Sequence, residues 1–253
     1  MNRIVFITGA TSGIGKACAE KFAAAGDHLI INGRRNERLE ELKQSLENQY
    51  KIEVLIATFD VRNKEDVFDC INSFSGKWRL VDILINNAGL ALGRDFFDAA
   101  SLTDWEIMLH TNVDGLLYVS KAVLPFMIER KQGHIINLGS VAGDDVYEKG
   151  NIYCASKTAV EAISRAMRID LLQHRIKVTN IKPGAVETEF GVVRYKGDSA
   201  KATKVYEGFT PLTGLDIADT IFYCASLPPN ICINELEITP IAQANGIFFH
   251  KNL

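Results

Sequence analysis

Residues 3–15 read RIVFITGATSGIG, a short apolar run followed at once by a glycine-rich turn. Further apolar runs follow at residues 28–32, 53–59, 81–86, 133–139, 177–182 and 235–239, with amphipathic helical segments between them. Strands that alternate with helices form a parallel sheet covered by helices on both faces. The pattern therefore predicts an α/β fold with a parallel sheet of about seven strands.

Length and composition favour a single domain, residues 1–253, that acts on small molecules. The 28 basic and 31 acidic residues give a net charge of −3, which offers no field to attract nucleic acid or an anionic membrane. Five cysteines lie far apart without a CxxC pair, so no metal site or disulfide framework is expected and a cytoplasmic location fits best. The first apolar run is too short for a signal peptide or a membrane span.

Glycine-rich or polar clusters follow six of the predicted strands. They are TGATSGIG (8–15), NGRR (32–35), DV (60–61), NNAG (86–89), GS (139–140) and PGAVET (183–188). Because the carboxyl ends of parallel strands lie along one edge of a sheet, these clusters should converge on one ligand-binding crevice. Any one of them could be an ordinary turn, but six together favour a binding site.

The glycines of TGATSGIG suit a phosphate cradle. Gly9 permits the tight exit from the strand, Gly13 lets the backbone approach a pyrophosphate, and Gly15 lets the helix pack close to the sheet. The helix that begins there directs its free N–H groups at the phosphates. Methyltransferases also use a glycine-rich loop after a first strand, so the loop alone favours a dinucleotide only slightly.

The NGRR segment bears on the choice of cofactor. In NAD-binding domains an acid at the end of the second strand binds the ribose hydroxyls, whereas Arg34 and Arg35 stand here. Either arginine can hold a 2′-phosphate through bidentate bonds, which would favour NADP over NAD by roughly 10- to 150-fold. Alternatively, both begin a solvated helix and pair with Glu37 or Glu40. We expect NADP, bound by Arg34 or Arg35 and not necessarily by both.

YCASK (153–157) places Tyr153 and Lys157 on one face of a helix. A free tyrosine has a pKa of about 10, and a cation at Lys157 would lower it enough for acid/base work. Ser140 can bond a substrate oxygen, and Asn112 can bend the long helix expected within residues 100–133 and hold a water that relays protons. The alternatives are a surface pair for the first two, and cap or turn residues for the others.

In combination these motifs resemble the short-chain dehydrogenase/reductase family, from about Arg3 to Thr239. The resemblance implies one doubly wound Rossmann-type domain, usually a dimer or tetramer. It implies that Tyr153 is the general acid/base, that Ser140 positions the carbonyl, and that Asn112 completes the proton relay. Lys157 would hold the nicotinamide ribose and lower the pKa of Tyr153.

The resemblance also implies the cofactor contacts, with Asp60 at the adenine and the PGAVET stretch at the nicotinamide. The expected set is Gly9, Thr11, Ser12, Gly13, Ile14, Gly15, Arg34, Arg35, Asp60, Val61, Asn87, Ala88, Gly89, Tyr153, Lys157, Pro183, Gly184, Val186 and Thr188.

Within the family the chain looks most like NADP-dependent dehydrogenases of serine and related 3-hydroxy acids, which also reduce malonic semialdehyde. A small acid needs a cation, and residues 185–210 form the segment that normally closes over the substrate. Arg194 is the candidate and Lys196 the second choice, although either could simply be solvated. Tyr147 could pack against the substrate, together with Ser140, or belong to the core.

Two features complicate this interpretation. Asp144 and Asp145 would repel a carboxylate unless they face solvent or an amino group. The tail, residues 240–253, carries Phe248 and Phe249, and we expect it to pack on a neighbouring subunit in a homo-oligomer and to help shape the site.

Rival functions keep part of this site. The chain could reduce other carbonyl substrates such as ketones, sugars or acyl thioesters, or it could be an NADP-binding sensor module without turnover. A methyltransferase is disfavoured because it has no use for Tyr153 paired with Lys157.

Overall fold

The fold is built around one large parallel sheet. The computed structural model describes residues 2–252, so Met1 and Leu253, the two ends of the expected domain, lie outside the described residues. The strands are β1 (Ile4–Ile7), β2 (His28–Gly33), β3 (Val54–Thr58), β4 (Val81–Asn86), β5 (Gly133–Leu138), β6 (Ile176–Pro183), β7 (Val186–Glu187), β8 (Leu212–Thr213) and β9 (Glu235–Ile238).

Seven strands form the main sheet in the order β3-β2-β1-β4-β5-β6-β9, and every pairing in it is parallel. The chain moves outward from β1 through β2 and β3, then returns to the other side of β1 for β4. Open α/β sheets bind ligands where the order reverses in this way. Strands β7 and β8 pair with each other in a separate two-stranded sheet that the sequence pattern did not predict.

Helices cover both faces of the sheet. They are α1 (Gly13–Ala24), α2 (Asn36–Tyr50), α3 (Lys64–Asn72), α4 (Leu102–Leu109), α5 (Gly115–Arg130), α6 (Asn151–Asp170), α7 (Glu189–Arg194), α8 (Ser199–Lys204) and α9 (Gly214–Ser226). Apolar side chains of α1, α2 and α9 bury one face, and those of α3 and α5 bury the other. Because both faces are covered, β1 is apolar and buried along its whole length.

The architecture confirms the predicted α/β fold with a parallel sheet of seven strands and helices on both faces. The expected long, bent helix is also confirmed, because a π-helical turn at His110–Asp114 joins α4 to α5 and contains Asn112. Within residues 2–252, no helix combines the length and the apolar character needed to cross a membrane.

Candidate active site

A cleft of about 1000 Å³ runs along the edge of the main sheet where the strands end. The expected residues that line it are Gly9, Thr11, Ser12, Gly13, Ile14, Arg34, Arg35, Asp60, Val61, Asn87, Ala88, Gly89, Ser140, Tyr147, Tyr153, Lys157, Pro183, Gly184, Val186, Thr188 and Arg194. Gly15 and Asn112 lie behind this lining, where they support it. The structure thus brings the strand-end clusters into one crevice.

The turn after β1 has the backbone that a phosphate cradle needs. Gly9 and Gly13 have φ angles of 66° and 53°, a left-handed conformation that favours glycine. A Cβ on Gly15 would collide with the Gly9 carbonyl oxygen and the Asn87 side-chain amide, so only glycine fits there. That amide donates to the carbonyl oxygens of Thr8 at 2.8 Å and of Gly9 at 3.1 Å, which ties the end of β4 to the turn.

Arg35 lies across the glycine-rich turn. Its Nη2 donates to Thr11 Oγ1 at 2.7 Å and to Ser12 Oγ at 3.3 Å, while its Nη1 donates to the Glu189 carboxylate at 3.3 Å. The Arg34 side chain is 62% exposed, and its Nη1 lies 3.7 Å from Asp60 Oδ2. The adenosine end of the cleft, Thr11–Gly13 with Arg34, Arg35 and Asp60, therefore has two cations.

The alternative pairing of these arginines with Glu37 or Glu40 is wrong in the described part of the chain. Their partners come instead from the end of β3 and the start of α7. Two guanidinium groups, the Thr11 and Ser12 hydroxyls and a crowded glycine turn form a donor set that fits a dinucleotide bearing a 2′-phosphate.

The expected catalytic side chains are all buried next to one another. Lys157 Nζ donates to the carbonyl oxygen of Leu138 at 2.7 Å. Asn112 Nδ2 donates to the carbonyl oxygen of Leu90 at 2.8 Å and to Ser156 Oγ at 3.0 Å, and its Oδ1 accepts the Leu90 N–H at 2.8 Å. The widened π turn thus directs the Asn112 amide at the segment after β4.

The electrostatics of Tyr153 correct one expectation. Burial raises the pKa of its hydroxyl, and the nearby Tyr147 adds to that rise, whereas a hydrogen bond with Ser140 and the charge of Arg194 oppose it. Burial also lowers the pKa of Lys157 to about 8. The expected net lowering of the Tyr153 pKa is therefore wrong, because desolvation of the phenolate outweighs the nearby positive charge.

Arg194 lies beside the rings of Tyr147 and Tyr153, and these three residues mark what we call the substrate end of the cleft. Its guanidinium carbon lies 5.4 Å from the Tyr153 ring centroid and 5.7 Å from that of Tyr147. Its Nη1 donates to the Tyr147 hydroxyl at 3.1 Å, and its carbonyl oxygen accepts the Gly93 N–H at 2.9 Å. The second choice, Lys196, pairs instead with Asp104 at 2.7 Å and does not line the cleft.

Asp144 and Asp145, the two acids expected to repel a carboxylate, both accept hydrogen bonds from other parts of the chain. Asp144 Oδ2 accepts from Lys182 Nζ at 2.7 Å. Asp145 Oδ2 accepts the N–H of Gly246 in the tail at 2.9 Å. Neither side chain lines the cleft, so their charges do not face an anionic substrate directly.

Several lining residues were missed by the sequence reasoning. The Phe190 ring packs 5.7 Å from the Tyr153 ring, and the Arg94 guanidinium lies 5.6 Å from the Tyr147 ring. Phe190 follows PGAVET closely enough that the motif could have been extended to it. Arg94 follows NNAG in a segment without periodicity, which carries no signal for its position.

The tail, in its described part, folds back on the same chain. The Phe249 ring lies 5.4 Å from that of Phe209, and Lys251 Nζ donates to the Val205 carbonyl oxygen at 2.9 Å. Phe249 and Lys251 also line the cleft, so the tail helps to shape the site of its own chain, and its packing on a neighbouring subunit stays a prediction. Its Ile241 and Phe248 side chains remain exposed.

Within residues 2–252 no three histidine, cysteine, aspartate or glutamate side chains are grouped as metal ligands. The polar groups that line the cleft are arginines, lysines, hydroxyls and amides, together with the carboxylates of Asp60, Glu148 and Glu189.

Comparison with known proteins gives one consistent answer. The short chain dehydrogenase family model matches residues 3–197. The chain is 45% identical over 251 residues to the NADP-dependent 3-hydroxy acid dehydrogenase YdfG of Salmonella typhi, which covers 98% of this chain and 100% of the relative. It is 44% identical over 249 residues to a sulfoacetaldehyde reductase of Chromohalobacter salexigens, with 98% of each chain covered.

Solved structures agree with these relatives. The closed form of a serine dehydrogenase complexed with NADP⁺ superposes with a TM-score of 0.91 at 43% identity, covering 98% of this chain and 100% of the other. The crystal structure of serine dehydrogenase from Escherichia coli superposes with a TM-score of 0.82 at 40% identity, covering 95% and 99%.

Proposed function

We propose, since this chain belongs to the short-chain dehydrogenase/reductase family, that it transfers a hydride between NADP(H) and the 3-hydroxyl or 3-oxo group of a small 3-hydroxy acid such as L-serine or 3-hydroxypropionate. The chain is an NADP-dependent oxidoreductase acting on CH–OH. The observation that carries the proposal is the guanidinium of Arg194 beside the Tyr153 ring. A cation there suits a substrate whose carboxylate lies a few bonds from the reacting carbon.

The cofactor NADP supplies the hydride acceptor, or in reduced form the hydride donor. In our proposal Arg35 and Arg34 bind its 2′-phosphate, and the backbone of Gly9–Gly15 binds the pyrophosphate. Lys157 and Tyr153 hold the nicotinamide ribose, and Pro183–Thr188 border the nicotinamide. Each of these residues, except Ala10, Gly15 and Glu187, lines the cleft.

Tyr153 is the proposed general acid/base. During oxidation the Tyr153 phenolate oxygen receives the proton of the substrate hydroxyl, and during reduction the Tyr153 hydroxyl donates its proton to the carbonyl oxygen. Ser140 donates a hydrogen bond to the same substrate oxygen and so fixes its position. Burial raises the pKa of Tyr153, and the positive charge of Arg194 opposes that rise. The Arg194 charge therefore makes the phenolate easier to form.

Lys157 and Asn112 complete the proposed proton path. Lys157 is buried and its ammonium points at a backbone carbonyl oxygen, so it can bond a ribose hydroxyl without competition from a carboxylate. Asn112 is fixed by three hydrogen bonds to Leu90 and Ser156, which leaves its position well defined for a water that relays the proton to solvent.

The surroundings of Arg194 favour an acid without an amino group at least as strongly as L-serine. An ammonium group needs a carboxylate, yet Asp144 and Asp145 are engaged by Lys182 and by the tail. The remaining carboxylate on this part of the lining is the exposed Glu148. If L-serine is oxidised, the product carries an aldehyde close to its carboxylate and loses CO₂ readily.

A second candidate is the reduction of a small aldehyde that bears a sulfonate. Arg94 and Arg194 lie against the Tyr147 ring, with guanidinium carbons 5.6 Å and 5.7 Å from its centroid. Two guanidinium groups suit an anion with three oxygens, and a relative at 44% identity is named for sulfoacetaldehyde.

Substrate comparison with two matched variants tests the proposal. Arg194→Ala should lower kcat/KM for 3-hydroxypropionate by roughly 10- to 150-fold, the value of a hydrogen-bonded charge. Oxidation of neutral 1-propanol should fall much less, because it loses only the effect of the Arg194 charge on Tyr153. Lys196→Ala, a cation on the same segment that pairs with Asp104, should change neither rate. If the Arg194→Ala variant oxidises 3-hydroxypropionate as well as the parent does, Arg194 does not bind the carboxylate. If the parent has a higher kcat/KM for isethionate than for 3-hydroxypropionate, the second candidate is favoured.

We further propose that the chain is one domain that forms a homo-oligomer, a dimer or tetramer, in the cytoplasm. Residues 185–210 would close over the substrate. The exposed Ile241 and Phe248 of the tail support burial against another subunit, and five unpaired cysteines support a reducing compartment.

A further inference from the structure

Glu189 begins α7, yet its carboxylate lies at the adenosine end of the cleft. Its Oε1 accepts from Arg38 Nη1 at 2.9 Å, and its Oε2 accepts from Arg35 Nη1 at 3.3 Å. Arg35 is the residue before α2 and Arg38 lies one turn along it, so both side chains can reach the same point. Two guanidinium groups therefore converge on one carboxylate next to the Thr11 hydroxyl that Arg35 also contacts.

This arrangement resembles the way proteins bind a phosphate. Guanidinium groups pair bidentately with carboxylate and phosphate oxygens alike, and Arg38 Nη1 already contacts both oxygens of Glu189, at 2.9 Å and 3.2 Å. Although burial opposes it, hydrogen bonds from Arg38 and Arg35 hold the pKa of Glu189 below its usual value, so its carboxylate is charged at neutral pH. A phosphate and this carboxylate cannot share the arginines without mutual repulsion.

We propose that Glu189 competes with the 2′-phosphate of the cofactor for Arg35 and Arg38, and that Arg38 is a further arginine that binds this phosphate. The inference rests on the proposed NADP site. A 2′-phosphate carries more charge and more acceptor oxygens than Glu189, so it displaces the carboxylate at the cost of two ion pairs. Glu189 thereby sets how strongly the site prefers NADP, and a cofactor without the 2′-phosphate leaves the pairs in place.

The competition also connects the two ends of the cleft. Glu189 and Arg194 are the first and last residues of the same six-residue helix. The ion pairs with Arg35 and Arg38 hold the first turn of that helix against the adenosine end. Binding of a 2′-phosphate releases this attachment on the segment that carries the substrate cation.

Equilibrium binding of NADPH and NADH without substrate tests the inference independently of turnover. Glu189→Gln keeps the size of the side chain and removes its charge. Because the ion pairs are partly exposed, removing their competition should tighten NADPH binding by about 3- to 10-fold. NADH binding should change less than about 2-fold, since no phosphate meets the arginines. Glu40→Gln, an exposed acid on α2 outside the cleft lining, is the matched control and should leave both affinities unchanged.

Arg38→Ala should weaken NADPH binding, and Glu189→Gln should then tighten it less in the Arg38→Ala background than in the parent. Preserved NADH binding by each variant shows that the site is folded. A parent chain that binds NADPH no more tightly than NADH would overturn the NADP assignment and this inference with it. A parent that prefers NADPH, with a Glu189→Gln variant whose NADPH affinity is unchanged or weaker, would overturn the inference alone.

Discussion

The two ends of the cleft are held together in different ways. At the adenosine end, the glycine-rich turn is held by backbone and short side chains at neighbouring strand ends, as when Thr8 Oγ1 accepts the N–H groups of Asn87 and Ala88, each at 3.0 Å. The Arg35–Glu189 ion pair is added to this frame from outside. At the substrate end, long side chains join segments that are distant in sequence, such as Arg194 with Gly93, which are 101 residues apart.

The contrast separates the contacts that serve cofactor binding from the contacts that serve recognition of a particular substrate. The adenosine end depends on glycine turns at fixed distances from the strands, and a parallel sheet places these turns side by side whatever follows them. The substrate end depends on α7, the tail and the segment after β4, which the sheet does not position. Changes there can alter the substrate without disturbing the fold.

Tyr153 is proposed to contact both the cofactor and the substrate oxygen. Its replacement should therefore have the largest effect and should show whether catalysis and cofactor binding can be changed separately. Tyr153→Phe should lower kcat by about 10²- to 10⁴-fold, because the proton of the substrate oxygen loses its acceptor and donor. The ring remains packed against Phe190, so NADPH binding should weaken only by the loss of one hydrogen bond to the nicotinamide ribose, about 2- to 10-fold. Steady-state oxidation of 3-hydroxypropionate and NADPH titration measure the two quantities.

Equal kcat values for parent and Tyr153→Phe would exclude this residue as the acid/base. If activity and NADPH binding are lost together, the Tyr153 hydroxyl acts mainly in binding the cofactor. Turnover by neither chain, with NADPH binding intact in both, would favour the sensor module over the enzyme.

Sequence reasoning placed the residues of the adenosine end and the four buried side chains of Asn112, Ser140, Tyr153 and Lys157 in one site because both sets follow local rules. The left-handed glycines and the bend at Asn112 are encoded within a few residues of where they act. The partner of Arg35 lies 154 residues away, so no local pattern could have identified Glu189. The direction of the Tyr153 pKa shift was likewise missed, because it depends on burial that tertiary packing creates.

The burial of Lys157 can be tested through the pH dependence of stability. Its pKa is about 8 in the folded chain, against about 10.4 for an ordinary lysine in the unfolded chain. Between these values the unfolded state binds more protons, so the free energy of unfolding attributable to Lys157 should rise with pH, by about 3 kcal/mol in total. Lys157→Met should lack this rise. Urea unfolding of the cofactor-free protein from pH 7.5 to 10.5 measures it.

The control is Lys121→Met, which replaces an exposed lysine on α5 and should keep the pH dependence of the parent. Parallel stability curves for Lys157→Met and the parent would mean that the ammonium is well solvated in the folded chain. The part of the cleft around Lys157 would then be more open to water than the burial of this side chain indicates.

Arg34 and Arg35 provide the finest test of the comparison, because they are adjacent and differ only in what holds them. Arg35 is fixed by Thr11, Ser12 and Glu189, whereas Arg34 is 62% exposed and 3.7 Å from its nearest acid. A fixed guanidinium loses less conformational freedom on binding a phosphate. Arg35→Ala should therefore weaken NADPH binding by roughly 10- to 150-fold, and Arg34→Ala by less than about 5-fold. NADH affinities serve as the reference, and a larger loss with Arg34→Ala would show that an exposed arginine, ordered only by the phosphate, decides the cofactor.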